Sequence, residues 1–198
     1  FVNGKYWAAM EAYNKVTENN GSDADYATFQ KAISYGFVDR NDTKITELNK
    51  FISSYPNSSY VDDAMYELGS TYSNMNKSSD AINTFNKLIS QYPKSTFASK
   101  AMLKQGLVYY NTKDNAKALE RFKKVVSDYS GTSEAVEAVE NARLIYVDSG
   151  SMTEYASWVK GLDFVEVSNS DLDNDSYEAA EKQKFQNNTK QAIASYTD

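Results

Sequence analysis

The residues that could do chemistry in this chain are few in kind. There is no histidine and no cysteine. Ser-His and Cys-His nucleophile pairs are therefore excluded, as are disulfides and the commonest zinc ligands. Acid–base work would fall to Asp, Glu, Lys or Tyr. Asp171-x-Asp173-x-Asp175 has the spacing that opens a calcium loop. An EF-hand then needs glycine next and glutamate at the loop's end. Ser176 and Lys182 stand there instead. The run reads as an acidic lead-in to a helix starting near Tyr177, at the helix's positive end. Glu134, Glu137 and Glu140 share a helical spacing, which is the pattern of a solvated face. No glycine-rich phosphate loop occurs. The chain is expected to bind no cofactor or metal and not to be an enzyme.

The remaining candidates are basic and aromatic. Lys100 and Lys104 lie one helical turn apart and share a face. Between Lys94 and Lys124 eight basic residues meet only Asp114 and Glu120, a local balance of +6. From Asp128 to Glu181, 13 carboxylates face only Arg143 and Lys160, a balance of −11. The net charge of −6 argues against an extended phosphate-binding surface, so nucleic acid is not an expected partner. No apolar run is long enough to span a bilayer.

These residues must be positioned by something periodic. Tyr55-Pro56 and Tyr92-Pro93 are 37 residues apart, and the same step reaches Tyr129-Ser130. It also aligns Ala27, Ala64, Ala101 and Ala138, then Tyr35, Tyr72, Tyr109 and Tyr146, then Ala32, Gly69 and Gly106. Ala81, Ala118 and Ala192 form a further column that Lys44 and Tyr155 interrupt, and Leu48, Phe85, Phe122, Val159 and Tyr196 complete the set. Each repeat reads as two amphipathic helices. Ala64, Met65, Leu68 and Tyr72 share one face of the first, and Ala81, Ile82, Phe85, Leu88, Ile89 and Tyr92 one face of the second. Ser78 or Ser79 would cap the second helix, and Pro93 would end it at Tyr92. A glycine inside a helix costs roughly 1 kcal/mol against alanine. Gly69 and Gly106 are therefore expected to make room for the rings of Phe85 and Phe122. The Tyr35 and Tyr55 columns are expected in the core.

Helix pairs are predicted near residues 24–55, 60–92, 97–129 and 134–167. Tyr6, Ala9, Tyr13 and Val16 form a preceding half-repeat, followed by a loop at Asn19-Asn20-Gly21-Ser22. Ala192 to Tyr196 begin a fifth second helix. Neither end reads as a polar capping helix, so the chain is expected to be part of a longer array.

Gly69, Tyr72, Ala81, Phe85, Leu88 and Pro93 have the types and spacing of the tetratricopeptide repeat signature, and Gly106, Tyr109, Ala118, Phe122 and Val125 nearly match it. The chain thus resembles tetratricopeptide repeat proteins. This repeat is three residues longer than the usual one, through Pro56 to Tyr60 and Pro93 to Phe97. Its Tyr-Pro-x-Ser stretch resembles the repeats of bacterial envelope proteins of the BamD and Tol-Pal coordinator families. Lys44, Arg143 and Tyr155 depart from the signature's small residues and put the packing of the first and fourth pairs in doubt.

The resemblance implies an all-α, right-handed superhelix (a solenoid) of about four to five helix pairs. It would form one domain over 1–198: a half-repeat 1–20, repeats at about 24–59, 60–96, 97–133 and 134–170, and a partial repeat 171–198. It also implies a scaffold that binds other proteins or peptides in a concave groove. Tyr26, Phe29, Tyr66 and Tyr110, off the inward column, would line that groove with Ser70, Asn74, Lys100, Lys104 and Asn111. Some members grip a C-terminal carboxylate with Lys, Asn and Arg in the groove; the equivalent surface here holds Asp63, Ser70, Asn74, Lys100, Lys104 and Asn111, and the full set is missing. The expected setting is the bacterial periplasm or outer membrane, although the cytoplasm also fits. The alternative is a helical accessory region of a larger envelope enzyme or glycan-handling protein.

Overall fold

The repeat pattern becomes a run of helices in the computed structural model, which describes residues 2–18, 23–185 and 192–193. The helices are α1 (Val2–Glu18), α2 (Ala24–Phe37), α3 (Asn41–Ser54), α4 (Val61–Asn74), α5 (Ser78–Gln91), α6 (Thr96–Asn111), α7 (Asn115–Asp128), α8 (Ser133–Ser149), α9 (Met152–Val159) and α10 (Asn169–Phe185). No strand occurs among the described residues. The chain forms two units, Phe1–Val108 and Tyr109–Asp198. The loop expected at residues 19–22 lies outside the described residues, as does Tyr196. Ala192 and Ile193 are helical.

One turn recurs inside every pair. Asp39, Asn76, Lys113 and Gly150 adopt left-handed φ values of 58°, 58°, 65° and 69°. The residue after each donates its N–H to the carbonyl of Tyr35, Tyr72, Tyr109 or Tyr146. A left-handed residue followed by a bond reaching five residues back is the helix-ending motif that satisfies orphan carbonyls. The Tyr35 column therefore marks where first helices stop. Lys77, not Ser78 or Ser79, takes the N-cap position of α5, and no side chain caps it.

In the first unit, α4 and α5 pack through the expected pair. Phe85 is fully buried. A Cβ built on Gly69 would lie 2.5 Å from its ring, closer than any real contact. The helix gives up a side chain so that the ring can rest on bare backbone. Lys44, at a small-residue position, does not loosen α3 against α2. It is 9% exposed. Its Cδ lies 3.1 Å from where a Cβ of Gly36 would sit, and its ammonium reaches Glu67 on α4 at 2.7 Å. An apolar stem with a charged tip lets lysine fill the site.

The three additional residues of the repeat also have a use. Ser58, in the loop before α4, donates to Asp25 at 2.6 Å, and Ser95, before α6, donates to Asp62 at 2.5 Å. Each serine hydroxyl also accepts the N–H two residues on. The lengthened loop thus ties the start of one first helix to the start of the next. α1 packs on α2 through Met10, which is buried, and through Tyr6, which stacks on Phe37 at 4.7 Å. Val16, expected on that face, is exposed.

In the second unit, Phe122 and Val125 are fully buried. Tyr155, in another small-residue position, is 1% exposed and packs against Tyr146 and Trp158. Burial pushes its hydroxyl up to about 12, with Glu140 and Asp175 adding to the effect. The fourth pair departs from expectation. α9 ends at Val159 rather than near 167, with Lys160, Gly161 and Leu162 in turns. α10 begins at Asn169, eight residues before the expected Tyr177. Ser168 and Asp171 bond each other reciprocally, backbone N–H to side chain, which is a capping box. The tyrosine columns are less buried than expected: Tyr35, Tyr72, Tyr109, Tyr55, Tyr92 and Tyr129 are half-buried, and Tyr146 is buried. The half-buried ones sit near helix ends, a position that suits a ring with an apolar body and a polar tip.

Two substitutions test the central contact by urea denaturation. Phe85→Ala should cost about 3–5 kcal/mol, the range for a core aromatic. Gly69→Ala, which would gain roughly 1 kcal/mol in an open helix, should instead destabilise by about 1–3 kcal/mol through overpacking.

Candidate protein-interaction surface

The repeat step decides which residues of the first helices line up. In the first unit Tyr26, Asp63 and Lys100 hold one register on α2, α4 and α6, and Gln30, Glu67 and Lys104 hold the next. Ser70 and Asn74 continue the stripe along α4, because Asp63, Glu67, Ser70 and Asn74 recur at helical spacing. The stripe is therefore aromatic on α2, acidic on α4 and basic on α6.

The aromatic candidates divide. Tyr26 is 41% exposed, its ring tilted against Tyr60 at 5.3 Å. Phe29 is buried, between Phe51 at 5.6 Å and Tyr60 at 5.7 Å. This corrects its placement in a groove: the ring belongs to the core, because the loop residue Tyr60 folds over it. Tyr66 is half-buried and lies 5.2 Å from Phe97 and 6.2 Å from Phe85. Its apolar body is committed to packing.

The polar candidates are less committed. The Ser70 hydroxyl is shielded from solvent and has no hydrogen-bond partner. Asn74 and Lys100 are exposed, and Lys104 is half-exposed. The Lys100 ammonium sits over the Phe97 ring, 5.4 Å from its centroid. Tyr110 and Asn111 belong to the second unit, where the Lys113 ammonium lies 5.8 Å from the Tyr110 ring centroid and Asn111 is exposed.

Asp63, named on the surface equivalent to the carboxylate grip but not among the residues expected to bind, is the carboxyl on α4 that its surroundings shift. Burial pushes it up to about 6. The carboxylates of Glu67 and Asp62 add to the rise, while Lys100 and Lys44 oppose it. Its neighbours are already satisfied: Asp62 takes the Ser95 hydroxyl and Glu67 takes the Lys44 ammonium. No hydrogen bond or ion pair reaches the Asp63 carboxylate among the described residues. Its signal in the sequence was its column, shared with Tyr26 and Lys100.

The basic run is narrower in space than in sequence. Lys117 pairs with Asp114 at 2.7 Å, Arg121 with Glu120 at 3.8 Å and Lys124 with Asp128 at 2.9 Å. The Lys123 ammonium lies 5.5 Å from both the Tyr146 and Trp158 rings. Lys94, Lys100 and Lys104 have no carboxylate within ion-pair distance among the described residues. The acidic run is likewise partly absorbed. Asp175 holds Arg143 at 2.7 Å, and Asp148 holds Lys182 at 2.9 Å. Asp171, Asp173 and Asp175 lie on a continuous helix rather than around a loop. No group of three His, Cys, Asp or Glu positioned for a metal ion occurs among the described residues.

The Asp63 shift has a consequence for stability. Its folded value lies above the unfolded one, so the folded state holds the proton more tightly between them. Stability contributed by this group is present below its unfolded value near 3.8 and is lost as pH rises through about 6. Asp63→Asn should therefore stabilise the protein at neutral pH by on the order of 1 kcal/mol, after allowing for solvent screening. The gain should vanish near about pH 4, as read from urea midpoints at the two pH values.

Comparison with known proteins agrees with this architecture. The family model for the tetratricopeptide repeat matches residues 63–95 and 100–132. No curated protein sequence matches significantly. Among solved structures, the crystal structure of MamA superposes with a TM-score of 0.59 at 22% identity, over 94% of this chain and 93% of that one. A tetratricopeptide repeat protein from Parabacteroides merdae gives 0.55 at 14% identity, over 98% and 71%. A protein of Podosopora anserina, described as a kinesin light chain with nearly identical tetratricopeptide-like repeats, gives 0.61 at 12% identity, over 80% and 85%. These identities carry the fold alone. Residues 63–95 and 100–132 are two tetratricopeptide repeats, in a chain whose helix pairs have the all-α fold of tetratricopeptide repeat proteins.

Proposed function

We propose that the chain is a protein-interaction scaffold that holds a partner segment against its first helices, within a bacterial cell-envelope complex. The observation that supports it most is the face of α2, α4 and α6 in the first unit. Tyr26 and Asn74 are exposed there, and Lys100 and Lys104 are cations without carboxylate partners. Repeats of this type generally mediate protein–protein contacts, and a mixed aromatic and polar face suits an extended peptide or a helix. The envelope setting rests on the likeness of the Tyr-Pro-x-Ser loops to the repeats of envelope proteins. No helix among the described residues is long and apolar enough to cross a membrane.

Site-directed photo-crosslinking in the native host tests both parts. Benzoylphenylalanine at Tyr26 or Asn74 should give discrete protein adducts that fractionate with the cell envelope. The same group at Thr84, on α5, should give none. The double substitution Lys100→Glu, Lys104→Glu should remove the adducts while leaving the circular dichroism spectrum unchanged. Adducts from Thr84 alone would place the interface on the second helices. Adducts confined to the cytosolic fraction would refute the envelope setting.

A further inference from the structure

The charged face of the first unit asks for a partner with two charges, not one. Asp63 is half-buried and accepts nothing, while every carboxylate around it is already paired. A partly desolvated carboxylate without a donor is costly until one is supplied. The nearest cations do not meet the demand. Lys44 is held by Glu67 at 2.7 Å, and Lys100 is held over the Phe97 ring, without an ion pair to Asp63. On α6, Lys100 and Lys104 present the opposite charge in the matching registers. On α2, Tyr26 presents an exposed ring, the surface on which a guanidinium stacks.

We infer that Asp63 on α4 receives a basic side chain of a partner peptide, while Lys100 and Lys104 on α6 receive an acidic residue close to it in the same peptide. The partner is therefore a segment in which an arginine or lysine neighbours an aspartate or glutamate, rather than a uniformly acidic tail. A uniformly acidic segment laid across this face would set like charges against Asp63 and Glu67. The inference rests on the scaffold reading above and narrows it to a class of ligand. The groups facing Asp63 are Asp62 and Glu67 on α4, Lys100 on α6 and Lys44 on α3. Binding of a cation should hold Asp63 in its charged form, so affinity should fall as the medium is acidified through the range where Asp63 takes up its proton.

A phage-displayed library of random dodecapeptides, panned in parallel on the wild type, on Asp63→Asn and on Lys100→Glu with Lys104→Glu, decides the matter. The wild type should enrich peptides that carry Arg or Lys beside Asp or Glu. Asp63→Asn keeps the shape of the side chain. It should lose the basic preference, keep the acidic one, and bind a wild-type-selected peptide about tenfold more weakly, the loss of one charge-assisted contact. The lysine double variant should lose the acidic preference instead. For the wild type, affinity for the selected peptide should drop between about pH 7 and pH 5, and for Asp63→Asn it should not. Enrichment of acidic peptides alone, equal on the wild type and Asp63→Asn, would overturn this inference and leave the scaffold reading intact. No enrichment on the wild type above an unrelated helical protein would overturn both.

Discussion

A phenyl ring resting on a helix with no side chain beneath it sets the spacing of the central pair. Phe85 is fully buried, and its ring occupies the space where a Cβ of Gly69 would stand. That approach fixes how closely α4 and α5 lie, and so fixes the angle at which α4 turns its other face outward. The helix loses roughly 1 kcal/mol of propensity at the glycine, which burial of the ring offsets several-fold. Asp63, Glu67, Ser70 and Asn74 point where they do because Gly69, in the same helix, points at Phe85. At the first pair the same closeness is met differently: the stem of Lys44 lies on Gly36, and its charge is carried outward to Glu67.

Much of this was legible from one periodicity. Counting in steps of 37 found the helix pairs, the small-residue column and the buried rings. It also aligned the registers along the first helices, those of Tyr26, Asp63 and Lys100 among them. What it missed has physical reasons. The left-handed column of Asp39, Asn76, Lys113 and Gly150 was hidden because four residue types fill it. Asn and Gly favour that conformation, whereas Lys113 adopts it because the turn on either side demands it. Phe29 sits off the inward column, and only the fold of Tyr60 over it makes it core. The end of α9 was misjudged because apolar spacing continued past Gly161, whereas the chain there turns away from the helix.

Charge was the least legible quantity. A run of eight basic residues suggests a broad positive surface. Half of those charges are spent: Lys117, Arg121 and Lys124 within a turn or so, on Asp114, Glu120 and Asp128, and Lys123 on the rings of Tyr146 and Trp158. Local pairs of this sort add little stability when exposed, but they do remove charge from the field that a partner meets. What is left on α6 in the first unit is Lys100 and Lys104, opposite an α4 carboxylate that lacks a donor. A sum over sequence cannot show this, because it weighs a paired lysine and an unpaired one alike.

The side-chain bonds that join one helix to another also have a limited reach along the chain. Gln105 reaches back 19 residues to Asn86, Ser95 reaches 33 to Asp62, and Lys77 reaches 35 to Asp42. None of these exceeds the length of one repeat. Partners so near in sequence meet quickly, since little loop entropy is spent in bringing them together. During synthesis each helix pair can therefore dock as soon as the next loop has left the ribosome, without waiting for distant sequence. Growth of the folded part becomes a matter of addition, one repeat upon the last, and a newly made pair exposes its apolar edge only for as long as the following repeat takes to emerge.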